Sequence, residues 1–137
     1  MSRTFTLLLT STGGELSPQL IRLAQASTRH AIRVVACEMR GDVLARHMAD
    51  AFALVPAGID PGYASAVHEI VRKEGVDLII PGADEEALAL SRAKELLAQD
   101  GCQVAGSPYE YRSAATLRRA SRTAPGFASF QAYHNRR

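Results

Sequence analysis

The chain has 137 residues, of which 47% are apolar and 22% charged, with a formal net charge of +2. That is the size and composition of one globular domain plus a tail, and no apolar run approaches the roughly 18 residues of a membrane span. The charge is unevenly spread: residues 1–110 hold ten Lys and Arg against fourteen Asp and Glu, whereas residues 111–137 hold six Arg and no acid.

In chain order, residues 4–10 (TFTLLLT) are continuously apolar between polar ends and read as a central strand buried on both faces. No signal-peptide pattern precedes them, which leads to an expected cytoplasmic location. The loop STGGELS follows, with Ser17 expected to cap a helix that has Pro18 at its first position and Leu20, Ile21, Ala24 and Ala26 on its apolar stripe. Residues 32–37 (IRVVAC) read as the second strand, residues 42–48 as a short helix and residues 52–55 as the third strand, closed by Pro56. Asp60-Pro61 is expected to cap a helix with Tyr63, Val67, Ile70 and Val71 on one face, stopped by Gly75. Residues 76–80 (VDLII) read as the fourth strand. PGADEE then leads into a helix expected to be capped by Asp84, to turn Ala89, Ala93, Leu96 and Leu97 inward, and to end at Gly101. Residues 102–105 (CQVA) read as a short fifth strand. Residues 113–121 read as a helix in an otherwise irregular basic tail.

Alternating strands and helices, with strands apolar throughout, predict an α/β, doubly wound, mostly parallel five-stranded sheet with helices on both faces. Cys37 and Cys102 share no metal-ligand spacing and read as buried core thiols, and the four histidines are scattered. No metal site is expected. The basic tail lacks the defined fold that base recognition needs, which argues against nucleic-acid recognition.

Ligands of such sheets bind beyond the carboxyl ends of the strands. The candidate ligand residues are therefore Ser11, Thr12, Gly13 and Gly14 after the first strand, Glu38 after the second, and Pro81, Gly82, Asp84 and Glu85 after the fourth. Adjacent glycines, hydroxyls and a helix amino terminus suit a phosphate or carboxylate. The loop is neither GxGxxG nor GxxxxGK[ST], because no third glycine and no lysine follow. Glu38 stands about where a dinucleotide-binding fold holds a ribose hydroxyl, and this motivates an alternative reading as a nucleotide- or NAD(P)-binding module. The three acids of ADEE suit the helix dipole, or the orientation of a substrate ammonium or a partner's arginine.

In order, LLLTSTGGELSPQLIRLA, VVACEMR, ADAFALVP, VDLIIPGADEEALALSRA and CQVAGSPYE resemble the amino-terminal, Rossmann-like pre-ATP-grasp domain of carbamoyl-phosphate-synthase-like ATP-grasp proteins. The resemblance covers residues 1–110, and residues 111–137 diverge from it. It implies the substrate side of a ligase that uses ATP and Mg²⁺ to activate a carboxylate for capture by an amine, with the first loop, Glu38 and residues 81–85 facing the active site. It also implies that the ATP-binding lysines and Mg²⁺-ligating acids lie in a separate ATP-grasp module, the expected partner. The expectation is a truncated or stand-alone domain that binds no cofactor and catalyses nothing by itself. A self-associating interaction domain is the other alternative, since a face normally covered by that module would pair with a second copy.

Overall fold

The computed structural model describes residues 3–106; the SPYE segment, the helix expected over residues 113–121 and the basic tail lie outside the described residues. Five strands, β1 (Phe5–Leu9), β2 (Ile32–Glu38), β3 (Ala51–Leu54), β4 (Leu78–Ile80) and β5 (Gln103–Val104), form one sheet in the order β3-β2-β1-β4-β5. All neighbouring strands run parallel, with Leu8 of β1 opposite Val35 of β2 and Ile79 of β4. The chain builds outward from β1 to β3 and then crosses back to β4. The switch point therefore falls between β1 and β4.

Period-two alternation along the strands divides the core into two layers. Leu8, Val35, Cys37 and Ile79 point to one face, where α3 (Tyr63–Glu74), α4 (Asp84–Arg92) and α5 (Lys94–Gln99) cover them with Tyr63, Val67, Ile70, Val71, Leu90 and Leu97. Leu7, Leu9, Val34 and Ala36 point to the other, against Ile21 of α1 (Ser17–Gln25) and Ala45 of α2 (Ala45–Met48). The doubly wound arrangement follows, because β1 and β2 are apolar on both sides and each side needs its own helical layer. Both cysteines are buried free thiols. Burial pushes Cys102 up to about 11, and burial together with Glu86 and Glu38 pushes Cys37 higher.

Helix boundaries differ from the sequence expectation in an instructive way. Ser17 is the first residue of α1 and not its cap; Leu16 takes the cap position without a side-chain bond, and Pro18 still falls in the first turn. Asp60 accepts a hydrogen bond from the Gly62 amide at 2.7 Å, forming a turn that precedes α3 instead of capping it. Asp84 is the first residue of α4, with Ala83 extended before it. Gly75 does end α3 in the left-handed conformation, φ 64°. The single helix expected after residue 84 is interrupted at Ala93; Leu97 is buried and Ala89 and Ala93 pack against the core as expected, whereas Leu96 is 44% exposed and Ala87 and Leu90 are buried beside them.

Candidate functional site

Beyond the carboxyl ends of β1 and β4 lies a cleft of 250 Å³ at the switch point, lined by Thr10, Ser11, Gly14, Glu15, Leu16 and Ser17 on one side and Ile80, Pro81 and Gly82 on the other. A larger concavity of 620 Å³ runs along the helical flank, between the residues around Pro61 and those of α4. Since an open parallel sheet presents its ligand site at the strand ends, the smaller cleft is the candidate.

The loop after β1 is fixed from within. Glu38, 9% exposed, accepts a hydrogen bond from the Gly13 amide on Oε2 and from the Met39 amide on Oε1, each at 2.8 Å. The Thr12 hydroxyl and amide both donate to the Cys37 carbonyl, at 3.1 and 3.4 Å. A Cβ on Gly13 would stand 3.0 Å from Glu38 Oε2, so the first glycine makes room for the latch. Thr12, Gly13 and Glu38 thus hold the loop. Gly14, Glu15 and Leu16 line the cleft; residues 12–13 form a turn closed onto Ser11, and the Glu15 and Leu16 amides form no hydrogen bond among the described residues.

The loop after β4 meets β1 backbone to backbone. A Cβ on Gly82 would lie 2.2 Å from the Thr10 carbonyl oxygen, and the Gly82 amide donates to Thr10 Oγ1 at 3.0 Å. Thr10 Oγ1 in turn donates to Glu86 Oε2 at 2.5 Å. Between them Ser11 has φ 50°, a left-handed backbone that non-glycine residues adopt at a cost of order 1–3 kcal/mol when the surroundings impose it. Ser11 also borders a second hollow of 270 Å³ formed with Met39, Ala57, Gly58, Ile59, Ala83, Glu85 and Glu86.

Of the residues singled out in the sequence, Ser11, Gly14, Pro81 and Gly82 line the cleft, Thr12, Gly13 and Glu38 form the latch behind it, and Asp84 and Glu85 are exposed outside it. The third acid, Glu86, which the sequence groups with its two neighbours as a first-turn acid, is instead buried. It is 4% exposed, because successive helical side chains point about 100° apart and the third acid turns inward while its two neighbours face outward. Thr10 was equally hidden, as the last letter of an apolar strand. The signal available for both was position alone: a polar strand end facing the third residue of the next helix.

Tyr63 completes the buried polar cluster. Its ring is fully buried, and its hydroxyl, turned toward Thr10 and Glu86, makes no hydrogen bond of normal geometry. Burial, with contributions from Glu86 and Cys37, holds that hydroxyl well above the usual tyrosine range. An unsatisfied buried hydroxyl costs about 1–3 kcal/mol, so Tyr63→Phe is expected to stabilise the fold by about 1 kcal/mol, read as a rise of several degrees in the thermal unfolding midpoint. A lower midpoint would show that the hydroxyl contributes a bond.

A nucleoside triphosphate with its magnesium does not fit the cleft. Its lining holds no lysine or arginine and only one carboxylate, Glu15, and no cluster of metal-ligating side chains exists among the described residues. No helix among the described residues is long and apolar enough to cross a membrane.

Residues 7–105 match the family model described as PylC-like, N-terminal domain. A comparison with curated proteins finds no match. Among solved structures, the fold is similar to that of glycinamide-RNase-transformylase T from Mycobacterium tuberculosis, at a TM-score of 0.64 and 16% identity over 86% of this chain and 34% of that one. It is also similar to N5-carboxyaminoimidazole synthetase from Staphylococcus aureus complexed with ADP, at 0.54 and 19% over 81% and 27%. A third is the biotin carboxylase domain of Hydrogenobacter thermophilus 2-oxoglutarate carboxylase, in complex with MgADP, ADP and bicarbonate, at 0.58 and 20% over 87% and 28%. At these identities the likeness is one of fold, and the chain spans about a third or less of the length of each.

Proposed function

Since the chain belongs to the PylC-like N-terminal domain family, we propose that it forms the substrate side of an ATP-grasp carboxylate–amine ligase, with ATP and Mg²⁺ held by a partner ATP-grasp module. The observation that carries this reading is the cleft at the β1/β4 switch point, where the amides of Gly14, Glu15 and Leu16 precede the amino terminus of α1 and no cation is present. Backbone amides at a helix amino terminus suit a carboxylate, whereas a triphosphate calls for lysine, arginine or metal. The cleft therefore serves the substrate carboxylate. Activation of that carboxylate belongs to the partner.

The rim supports the same reading. Leu16 is 70% exposed, Leu20 45% and Ile80 36%, an apolar border around a polar cleft, suited to a covering module. Asp84 and Glu85, exposed in the first turn of α4, are placed to orient a substrate ammonium or an arginine of that module. An alternative role for Glu38 as a ribose acceptor has less to support it, because the carboxylate is turned inward onto two amides. The setting is cytoplasmic, where ATP is available.

The test is an amide NMR titration of the purified chain. Amino acids at millimolar concentration are expected to shift the Gly14, Glu15 and Leu16 signals, MgATP to leave them in place, and MgATP with amino acids to show no phosphate release above background. Phosphate release by the chain alone, or MgATP shifts confined to these amides, would overturn the reading.

A further inference from the structure

Glu86 does not line the candidate cleft, yet the end of β1 and the loop after β3 both meet it. Thr10 at the end of β1 donates its hydroxyl proton to Glu86 Oε2. From the loop after β3, Gly58 packs so closely that a Cβ there would lie 2.7 Å from Glu86 Cγ and 2.9 Å from its amide nitrogen. Its own backbone begins α4, the helix that follows the Pro81-Gly82 turn. A threonine hydroxyl has one proton to give. With that proton committed to a carboxylate, which can only accept, Thr10 Oγ1 turns a lone pair toward Gly82 and receives its amide at 3.0 Å.

We propose that Glu86 is a positioning residue for the cleft, acting through Thr10 to fix the Gly82 wall against the loop after β1. The carboxylate sets the direction of the Thr10 hydroxyl; the hydroxyl captures the Gly82 amide; the captured turn sets the spacing of Pro81 and Gly82 from Ser11 and Gly14. A purely structural role would be better filled by apolar side chains, because a carboxylate 4% exposed carries a desolvation cost that methionine does not. The bearing of this relay on a ligand rests on the reading of the cleft given above. The positioning itself is independent of it.

The experiment compares amide hydrogen exchange in the full chain with that in Thr10→Ser, Thr10→Val and the double variant Thr10→Val with Glu86→Met. Removing both partners of a buried hydrogen bond is close to neutral for stability. The double variant leaves the Gly82 amide without its acceptor but no unpaired carboxylate, so its urea midpoint is expected to fall less than that of Thr10→Val alone, while the Gly82 amide exchanges about tenfold faster than the change in global stability accounts for and the Leu8 and Val35 amides track the global change. Thr10→Ser, which keeps the hydroxyl, is expected to retain Gly82 protection. Unchanged exchange at Gly82 in Thr10→Val or in the double variant overturns the proposal, as does an equal acceleration at every core amide. Because these amides are read without ligand, failure of carboxylate binding leaves this result standing.

Discussion

Replacing Gly82 with alanine is expected to destabilise the domain by about 3 kcal/mol, at the upper end of overpacking costs. The new methyl carbon would be built 2.2 Å from the Thr10 carbonyl oxygen and 3.0 Å from Ser11 Cβ. The first of these atoms belongs to backbone in the centre of the sheet, which cannot rotate away as a side chain would. Relief requires the loop after β4 to lift, and lifting it breaks the 3.0 Å bond from the Gly82 amide to Thr10 Oγ1. For a domain of this size the thermal midpoint should fall by about 10–20 °C. Gly14→Ala is the control: its Cβ would meet only the Ser11 carbonyl oxygen at 3.9 Å, an ordinary contact, and its stability should stay within about 0.5 kcal/mol of the parent. Urea unfolding of both variants checks the pair, and equal effects at the two glycines would contradict the backbone-contact account.

The contrast between these glycines also marks how much the sequence discloses. Predominantly apolar runs at residues 4–10, 32–37 and 76–80, interrupted inside by Thr6, Arg33 and Asp77, identify three parallel strands, because burial on both faces favours such runs. They place the loops at one edge of the sheet. What the runs do not disclose is which polar atom within a loop faces inward. Ser17, Asp60 and Asp84 have the composition of caps, but each sits one or more positions from the cap, since residues of this type satisfy turns and first helical turns nearly as well. Glu38 was legible as an exceptional acid at the end of a strand, yet its partner, the Gly13 amide 25 positions earlier, becomes visible only when β1 and β2 are paired. The buried Thr10–Glu86 contact spans 76 positions, beyond any local pattern.

These long-range contacts explain how the loop that lines the cleft is held. Glu38 holds the loop after β1 on the β2 side, behind the cleft, and Gly82 meets it on the β4 side, in the cleft wall, so the loop is fixed at both margins. On the proposed reading, residues 14–16 between these margins meet the substrate carboxylate, and a loop fixed before binding lowers the ordering cost of that step.

The latch itself supplies the second large effect. Glu38→Ala is expected to cost about 2 kcal/mol, because hydrogen bonds to a charged acceptor contribute about 1.5–3 kcal/mol and both those from Gly13 and Met39 are lost, offset by the access of water to these loop amides. Glu38→Gln keeps one carbonyl oxygen but turns an NH₂ group toward a second donor, and it should recover about half of the loss. The bond from the Val55 amide to the Glu38 carbonyl, 3.0 Å, is backbone and survives both changes, so β2 and β3 stay paired and the damage remains local to the loop. Urea midpoints order the three proteins as parent, Gln, Ala. Amide exchange then separates a loosened loop from a weakened sheet: Gly13 and Met39 should exchange faster than in the parent by more than the change in global stability accounts for, with Leu8 and Val35 tracking the global change. If Gly13 exchange followed the core amides, Glu38 would be a general stabiliser of the sheet and not the latch of the cleft.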